Sequence, residues 1–355
     1  MKVIRLTTLL DFGGQERQYI SFAEADFQLL QNEYIFAAIS HGGNAEQTIR
    51  KRGFEVVIFN ENPKISNLKN IWTLYKWFKK TKPDVVHTAA AEANFHGIIA
   101  AKLAGVKMII GEEIGFPNHS LTAKFVFKII YKFTYKVVCV SNAVKEFLVA
   151  NKEIDSQKGY VIYNPIPKVN PLPKQLNKDF TIVSVGRFEK VKNQALLIKA
   201  LSKLENTNAK LILVGEGSER KNLESLVQRL NLQERVTLTG FVKNPEEYIS
   251  KAHLFVLPSL SEGFGIAVVE AMQQETACLC SNIGGIPEFI THNETGWLFN
   301  PTNEHELIDQ LNKIIAMPFT EIQKIAHQGK IAIDNRFTIQ KYVERLENLY
   351  QKTHD

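Results

Sequence analysis

Short apolar runs alternate along this chain with longer stretches whose apolar positions recur at helix period. In the first half the runs fall at 3–6, 34–39, 55–59, 85–87, 108–110 and 137–140. The segments 15–32, 68–80 and 94–103 lie between them and have apolar residues three and four apart. Continuous apolar strands between amphipathic helices predict a parallel sheet covered on both faces. The pattern breaks at 164–173, NPIPKVNPLP, where four prolines in ten residues rule out a helix or a central strand and predict a semi-rigid linker. It then restarts, with runs at 181–185, 211–214, 236–239, 254–257, 277–281 and 297–299. Leu196, Leu197, Ala200, Leu201 and Leu204 mark one helix face, and Leu223, Leu226, Val227 and Leu230 the next.

The expectation is therefore an α/β protein of two Rossmann-like, doubly wound parallel-sheet domains facing a central cleft. The 355 residues suit two cores of about 150 to 180 residues each. Ligands of such sheets bind at the carboxyl ends of the strands, so the expected active site lies between the halves.

Charge changes this picture by halves. The net charge is +6, but residues 1–170 carry 22 Lys+Arg against 15 Asp+Glu, giving +7, and the remainder carry 21 against 22, giving −1. A basic first half predicts an anionic partner, nucleic acid or an acidic membrane surface. Basic residues concentrate in one segment, not along a groove with stacking aromatics, which argues against nucleic acid. The three cysteines, Cys139, Cys278 and Cys280, have no metal-like spacing and read as core side chains. The N-terminus runs straight into a strand pattern, so no signal peptide is expected, and no window reaches the ~18 uncharged apolar residues of a membrane span. The expected location is cytoplasmic, with peripheral contact at the inner face of the membrane.

Three motifs carry chemistry. EGFGIAVVE at 262–270 follows an apolar run and opens a helix, so its glycines and the unpaired amides of the helix start suit a diphosphate and sugar hydroxyls. Glu262 and Glu270, eight apart, would lie about 12 Å apart along a helix. That is too far for the ~5 Å carboxylate pair of a retaining glycoside hydrolase, so they suit opposite ends of one elongated ligand. Arg187 and Lys192, in GRFEKVKN after a strand, are placed to neutralise a departing diphosphate; no clustered carboxylates suggest a metal, and no cofactor is expected. Gly13-Gly14 makes a second strand-to-helix turn of the same type.

Together these pieces resemble the retaining glycosyltransferases known as family 4, or group 1, which have the GT-B fold. The resemblance rests on VGRFEKVKN at 185–193, LVGEGSERKNLE at 213–224, VTLTGFV at 236–242, FVLPSLSEGFGIAVVEAM at 255–272, SNIGGIPEFI at 281–290 and TGWLFNP at 295–301. It is looser in the first half, through FGGQERQ at 12–18, DVVHT at 84–88 and VSNAVKEFL at 140–148. It implies an acceptor-binding domain over 1–168, a donor-binding domain over 169–337 and a last helix over 338–355 returning to the first domain. It implies that Gly186, Arg187 and Lys192 grip the diphosphate of a nucleotide-sugar donor. Glu262 and the amides of Gly263, Phe264, Gly265 and Ile266 would hold the sugar and β-phosphate, and Glu270 the ribose. Gly215, Phe241 and Val242 would lie near the base, and Gly14 would close over the donor from the other domain. The implied reaction is hexosyl or N-acetylhexosaminyl transfer with retention to a glycan or lipid-linked acceptor, in surface polysaccharide or glycolipid synthesis. A nucleotide-sugar epimerase of the same fold, or a non-catalytic nucleotide-sugar binder, is the alternative.

One departure stands out. Where many family members carry a histidine after the fifth strand, this chain reads IIGEEIGFP. Glu112 and Glu113 are thus expected on the acceptor side with His87 and His96, and Glu113 among the catalytic groups with Glu262, Arg187 and Lys192. Finally, SLTAKFVFKIIYKFTYK at 120–136 spaces Lys124, Lys128, Lys132 and Lys136 four apart among aromatic and aliphatic residues, the pattern of a helix that lies on an anionic membrane.

Overall fold

A computed structural model describes residues 1–11, 13–176 and 178–352. The chain divides into two compact units. Met1–Pro167 and the stretch beginning at Phe337 form the first, and Lys168–Arg336 the second.

The first unit is built on a seven-stranded sheet of β1 (Lys2–Thr7), β2 (Glu33–Ala38), β3 (Glu55–Ile58), β4 (Val85–Ala89), β5 (Met108–Glu113), β6 (Lys136–Cys139) and β7 (Gly159–Val161), ordered 3-2-1-4-5-6-7. Every ladder in it is parallel. Parallel strands need crossovers, and the helices α1 (Gly14–Ala23), α2 (Asn44–Lys51), α3 (Lys69–Thr81), α4 (Ala91–Ala104), α5 (Leu121–Tyr131) and α6 (Asn142–Ala150) supply them. Ser120 and Ser141 cap α5 and α6, their hydroxyls accepting from Ala123 N and Val144 N, and Gly105 ends α4 at φ 75.

The second unit repeats the plan with six parallel strands, β8 (Thr181–Val185), β9 (Lys210–Val214), β10 (Val236–Leu238), β11 (Leu254–Leu257), β12 (Ala277–Ser281) and β13 (Trp297–Phe299), ordered 10-9-8-11-12-13. Its helices are α7 (Gln194–Ser202), α8 (Arg220–Arg229), α9 (Glu246–Ser250), α10 (Ile266–Gln273), α11 (Glu304–Ala316) and α12 (Phe319–Ile333). The predicted Leu faces of α7 and α8 pack into one core with Ile182, Leu211, Leu254 and Trp297. Cys139, Cys278 and Cys280 are buried free thiols.

A last helix, α13 (Ile339–Gln351), is capped by Thr338 and joins the core of the first unit through Tyr342, Val343, Leu346, Leu349 and Tyr350. Because all strands in a sheet point the same way, the loops leaving their carboxyl ends gather along one edge, which is where the family-like motifs of the second unit fall.

The basic segment at 120–136 is shorter as a helix than its spacing predicts. α5 stops at Tyr131, whose carbonyl accepts a bond from Thr134 Oγ1 at 2.8 Å, and Lys136 opens β6. Lys124 is drawn sideways to Asn151 Oδ1 at 2.5 Å and is half-buried. The four-lysine stripe is thereby corrected to two exposed lysines, Lys128 on the helix and Lys132 at its end.

Candidate functional site

In the second unit, β8 runs out at Val185 and the chain turns across the end of β9. Gly186 N donates to Val214 O at 3.0 Å and Phe188 N to Glu216 O at 2.8 Å, while Glu219 N returns a bond to Phe188 O at 2.9 Å. The contact demands glycine: a Cβ on Gly215 would overlap the carbonyl oxygen of Gly186. A short 3-10 turn, Lys190–Lys192, then leads into α7 through Asn193 in the left-handed region. This turn is bound to the loop after β11 by Leu260 N donating to Val191 O at 2.7 Å.

That tie brings two charges together. Lys192 Nζ donates to Glu262 Oε2 at 2.7 Å, with the side chains 20% and 15% exposed. Glu262 is held through its own carbonyl, which accepts from Gly285 N at 3.3 Å. Phe264 is buried against Phe289, and Gly265 adopts φ 99, a conformation that favours glycine, before α10 begins without a side-chain cap. α10 thus begins four residues after Glu262 with no side chain capping its first amides, the end of a helix that carries its positive dipole. Arg187 Nη1 sits 3.0 Å from Glu189 Oε1 and is 72% exposed. Glu270 lies half-buried on α10. Since Glu262 precedes that helix, a helical rise does not describe the spacing of the two glutamates. Gly215 bridges to Gly240 after β10, and Phe241, 67% exposed, and Val242 follow.

The first unit holds a different arrangement. Glu112, at the end of β5, accepts from Arg5 Nη2 at 3.2 Å and Gln18 Nε2 at 2.6 Å, and His87 Nε2 lies 3.2 Å away. Arg5 also donates to Tyr342 OH at 2.9 Å and lies 4.5 Å above the Tyr19 ring, while His87 Nδ1 meets Tyr350 OH at 2.7 Å. Arg5, His87 and Glu112 are completely buried. Burial alone would raise the Glu112 carboxyl, but His87, Arg5 and Gln18 hold it below its ordinary value, and burial lowers His87. Glu113 is enclosed on the next position by Tyr131 OH and by Asn94 Nδ2 at 3.2 Å. His96, itself buried, faces two carbonyls of the loop before α3 with its Nε2, Pro63 O at 3.3 Å and Lys64 O at 3.2 Å.

The model of the Glycosyl transferases group 1 family matches residues 170–351, and that of Glycosyltransferase Family 4 matches 12–168. The chain belongs to this glycosyltransferase family. Similar proteins include the UDP-Gal:alpha-D-GlcNAc-diphosphoundecaprenol alpha-1,3-galactosyltransferase of Escherichia coli, 29% identical over 81% of this chain and 80% of that one. Another is the N-acetylgalactosamine-N,N'-diacetylbacillosaminyl-diphospho-undecaprenol 4-alpha-N-acetylgalactosaminyltransferase of Campylobacter jejuni, 30% identical over 72% of this chain and 74% of that one. Among solved structures, Anabaena HepE in complex with UDP and glucose superposes with a TM-score of 0.83 at 21% identity, covering 99% of this chain and 100% of that one. The fold is GT-B.

The glycosyltransferase thus brings Lys192 against Glu262 just ahead of the Gly265 turn and α10, with Arg187 in the loop after β8 and Glu270 on α10. Gly14 opens α1 and is exposed; its motif neighbour Phe12 lies outside the described residues. The acceptor-side expectation is corrected for Glu112, His87 and His96, which are spent inside the first unit on the partners described. It is corrected for Glu113 as a catalytic group too, because Tyr131 and Asn94 occupy its carboxylate and leave it 4% exposed. Sequence reasoning missed Arg5, Gln18, Tyr342 and Tyr350 as the partners that explain IIGEE, and it missed Glu189, for which alternating charge in GRFEKVKN was the available signal.

Burial pushes the Glu113 carboxyl from 4.5 up to about 7. The folded state therefore favours the protonated form. That stability is fully present below about pH 4.5 and is lost as pH rises toward 7. The loss is on the order of 3 kcal/mol. Urea midpoints measured at pH 5 and pH 8 are expected to fall with pH in the unaltered chain and to stay nearly level in Glu113→Gln; an equal fall in both contradicts the assignment.

Proposed function

We propose that this glycosyltransferase moves a hexosyl or N-acetylhexosaminyl group, with retention, from a nucleoside-diphosphate sugar to a glycan or lipid-linked acceptor. The observation that carries the reading is the Lys192–Glu262 pair beside the uncapped start of α10. The ammonium and the helix-start amides are preorganised donors for a leaving diphosphate, and donors of this sort give their largest benefit where charge develops in the transition state. Glu262 is then free to accept from sugar hydroxyls once the ammonium turns to phosphate. Arg187 adds a second positive charge, so the leaving group is neutralised by side chains and the reading needs no metal. UDP in the HepE complex and the diphosphoundecaprenol acceptors named for the Escherichia coli and Campylobacter proteins support the donor and acceptor classes. Calorimetry of purified protein with UDP, GDP and ADP in chelator-containing buffer is expected to register one of them; silence from all three sinks the donor site.

A lipid-linked acceptor calls for a protein that works at a membrane surface. No helix among the described residues is long and apolar enough to cross a membrane. On α5 and just beyond, however, Leu121 and Phe125 are 85% and 65% exposed, with Ile129 and Phe133 beside them and Lys128 and Lys132 among them. Lys102 Nζ at the end of α4 sits 5.8 Å from the Phe133 ring, next to exposed Leu103. Apolar side chains rimmed by lysines fit an anionic bilayer, the rings entering the interface and the ammonium groups meeting lipid phosphates. Flotation with anionic vesicles is expected to carry the protein up at moderate salt, and Phe125→Glu to leave it at the bottom. Equal flotation of both forms removes α5 as the contact.

A further inference from the structure

Both phosphate-seeking cations of the second unit are already engaged. Lys192 is on Glu262 at 2.7 Å, and Arg187 is on Glu189 at 3.0 Å. With Lys190, three positive and two negative side chains leave this turn a net charge of only +1, and the two cations assigned to the multiply charged ligand are each held by a carboxylate. For Arg187 or Lys192 to meet that ligand directly, its carboxylate has to give way.

The two glutamates are not equally free to do so. Glu262 is 15% exposed and its carbonyl is tied to Gly285, whereas the Glu189 side chain is 33% exposed. The backbone of Glu189 alone completes the turn, its N–H bonded to Arg187 O and its carbonyl to Lys192 N, both at 2.9 Å. Its side chain makes no capping bond to the 3-10 turn that it opens. The carboxylate can thus leave without dismantling the loop.

We propose that Glu189 sets the affinity of the phosphate site by holding Arg187 while the site is empty and releasing it to the incoming diphosphate. The inference rests on the donor reading above. The carboxylate acts as an internal competitor: bound, it fixes the guanidinium near the end of β8; displaced, it still repels phosphate. An exposed pair of this kind is worth little, so the competition amounts to about threefold in affinity, and its electrostatic part is screened by salt.

Calorimetry with UDP, GDP and ADP at about 0.05 M and about 0.5 M salt tests this on the full chain. Glu189→Gln is expected to bind the preferred diphosphate about threefold tighter at low salt, with the gain shrinking at high salt. Glu189→Asp keeps the charge and is expected to stay near the unaltered value. Glu205→Gln, beyond the far end of α7, controls for general charge removal. A merely structural role for Glu189 predicts weaker binding in the Gln variant. Unchanged or weaker binding by Glu189→Gln, or the same gain in the Asp variant or the control, overturns the inference while leaving the donor site standing. Failure of the unaltered chain to bind any of the three overturns both.

Discussion

Lys192→Ala is expected to lower turnover roughly a hundredfold with the fold intact. The ammonium is partly shielded from water, and at ~4 Å a single positive charge contributes about 4 kcal/mol to a phosphate oxygen at an effective dielectric of 20. Part of that is recovered by water in the truncated site, and each ~1.4 kcal/mol that remains lost is tenfold in rate. Arg187→Ala should cost less, about tenfold, because its guanidinium is 72% exposed and solvent screens it. The two sites of contact lie on one turn, so the double variant should fall short of the product of the singles. Donor-saturated rates, taken alongside urea midpoints, separate a lost clamp from a lost fold. Near-normal rates in both single variants would remove the clamp.

The sequence made this second-unit site legible for a physical reason. Its charged residues sit within a few positions of strand ends that are marked by continuous apolar runs, and a parallel sheet delivers those ends to one edge whatever the details of packing. The pattern fails where the information is remote. IIGEE looks like a polar strand end awaiting a ligand, but the partner of Glu112 is Arg5, 107 positions away, and Arg5 in turn meets Tyr342, 337 positions away. No local period encodes such a meeting. β7 carries no sequence signal, because GYV is three residues long and only one of them is buried, leaving no apolar run. The spacing predicts too long an α5 because lysines four apart continue past Tyr131, whereas the Tyr131 carbonyl takes a bond from the Thr134 hydroxyl where the helix ends, which composition does not announce.

The remote pairing has its own consequence. Arg5→Met is expected to lower the stability of the first unit by about 3 to 5 kcal/mol, and Glu112→Leu by a similar amount. Arg5 and Glu112 are both fully buried, so removing either leaves the other as a charge that water cannot reach. The loss also spreads: without Arg5, Tyr342 on α13 has no donor for its hydroxyl, and without Glu112, Gln18 on α1 loses its 2.6 Å acceptor. A buried ion pair costs desolvation that its attraction only partly repays. The Arg5→Met/Glu112→Leu double variant should therefore be more stable than the sum of the singles predicts, by about 2 to 3 kcal/mol of coupling. Urea unfolding of the four proteins closes this cycle. Singles that cost under about 1 kcal/mol would mean that apolar packing by Tyr342, Leu346 and Tyr350, and not charge pairing, is what fastens the last helix to the sheet.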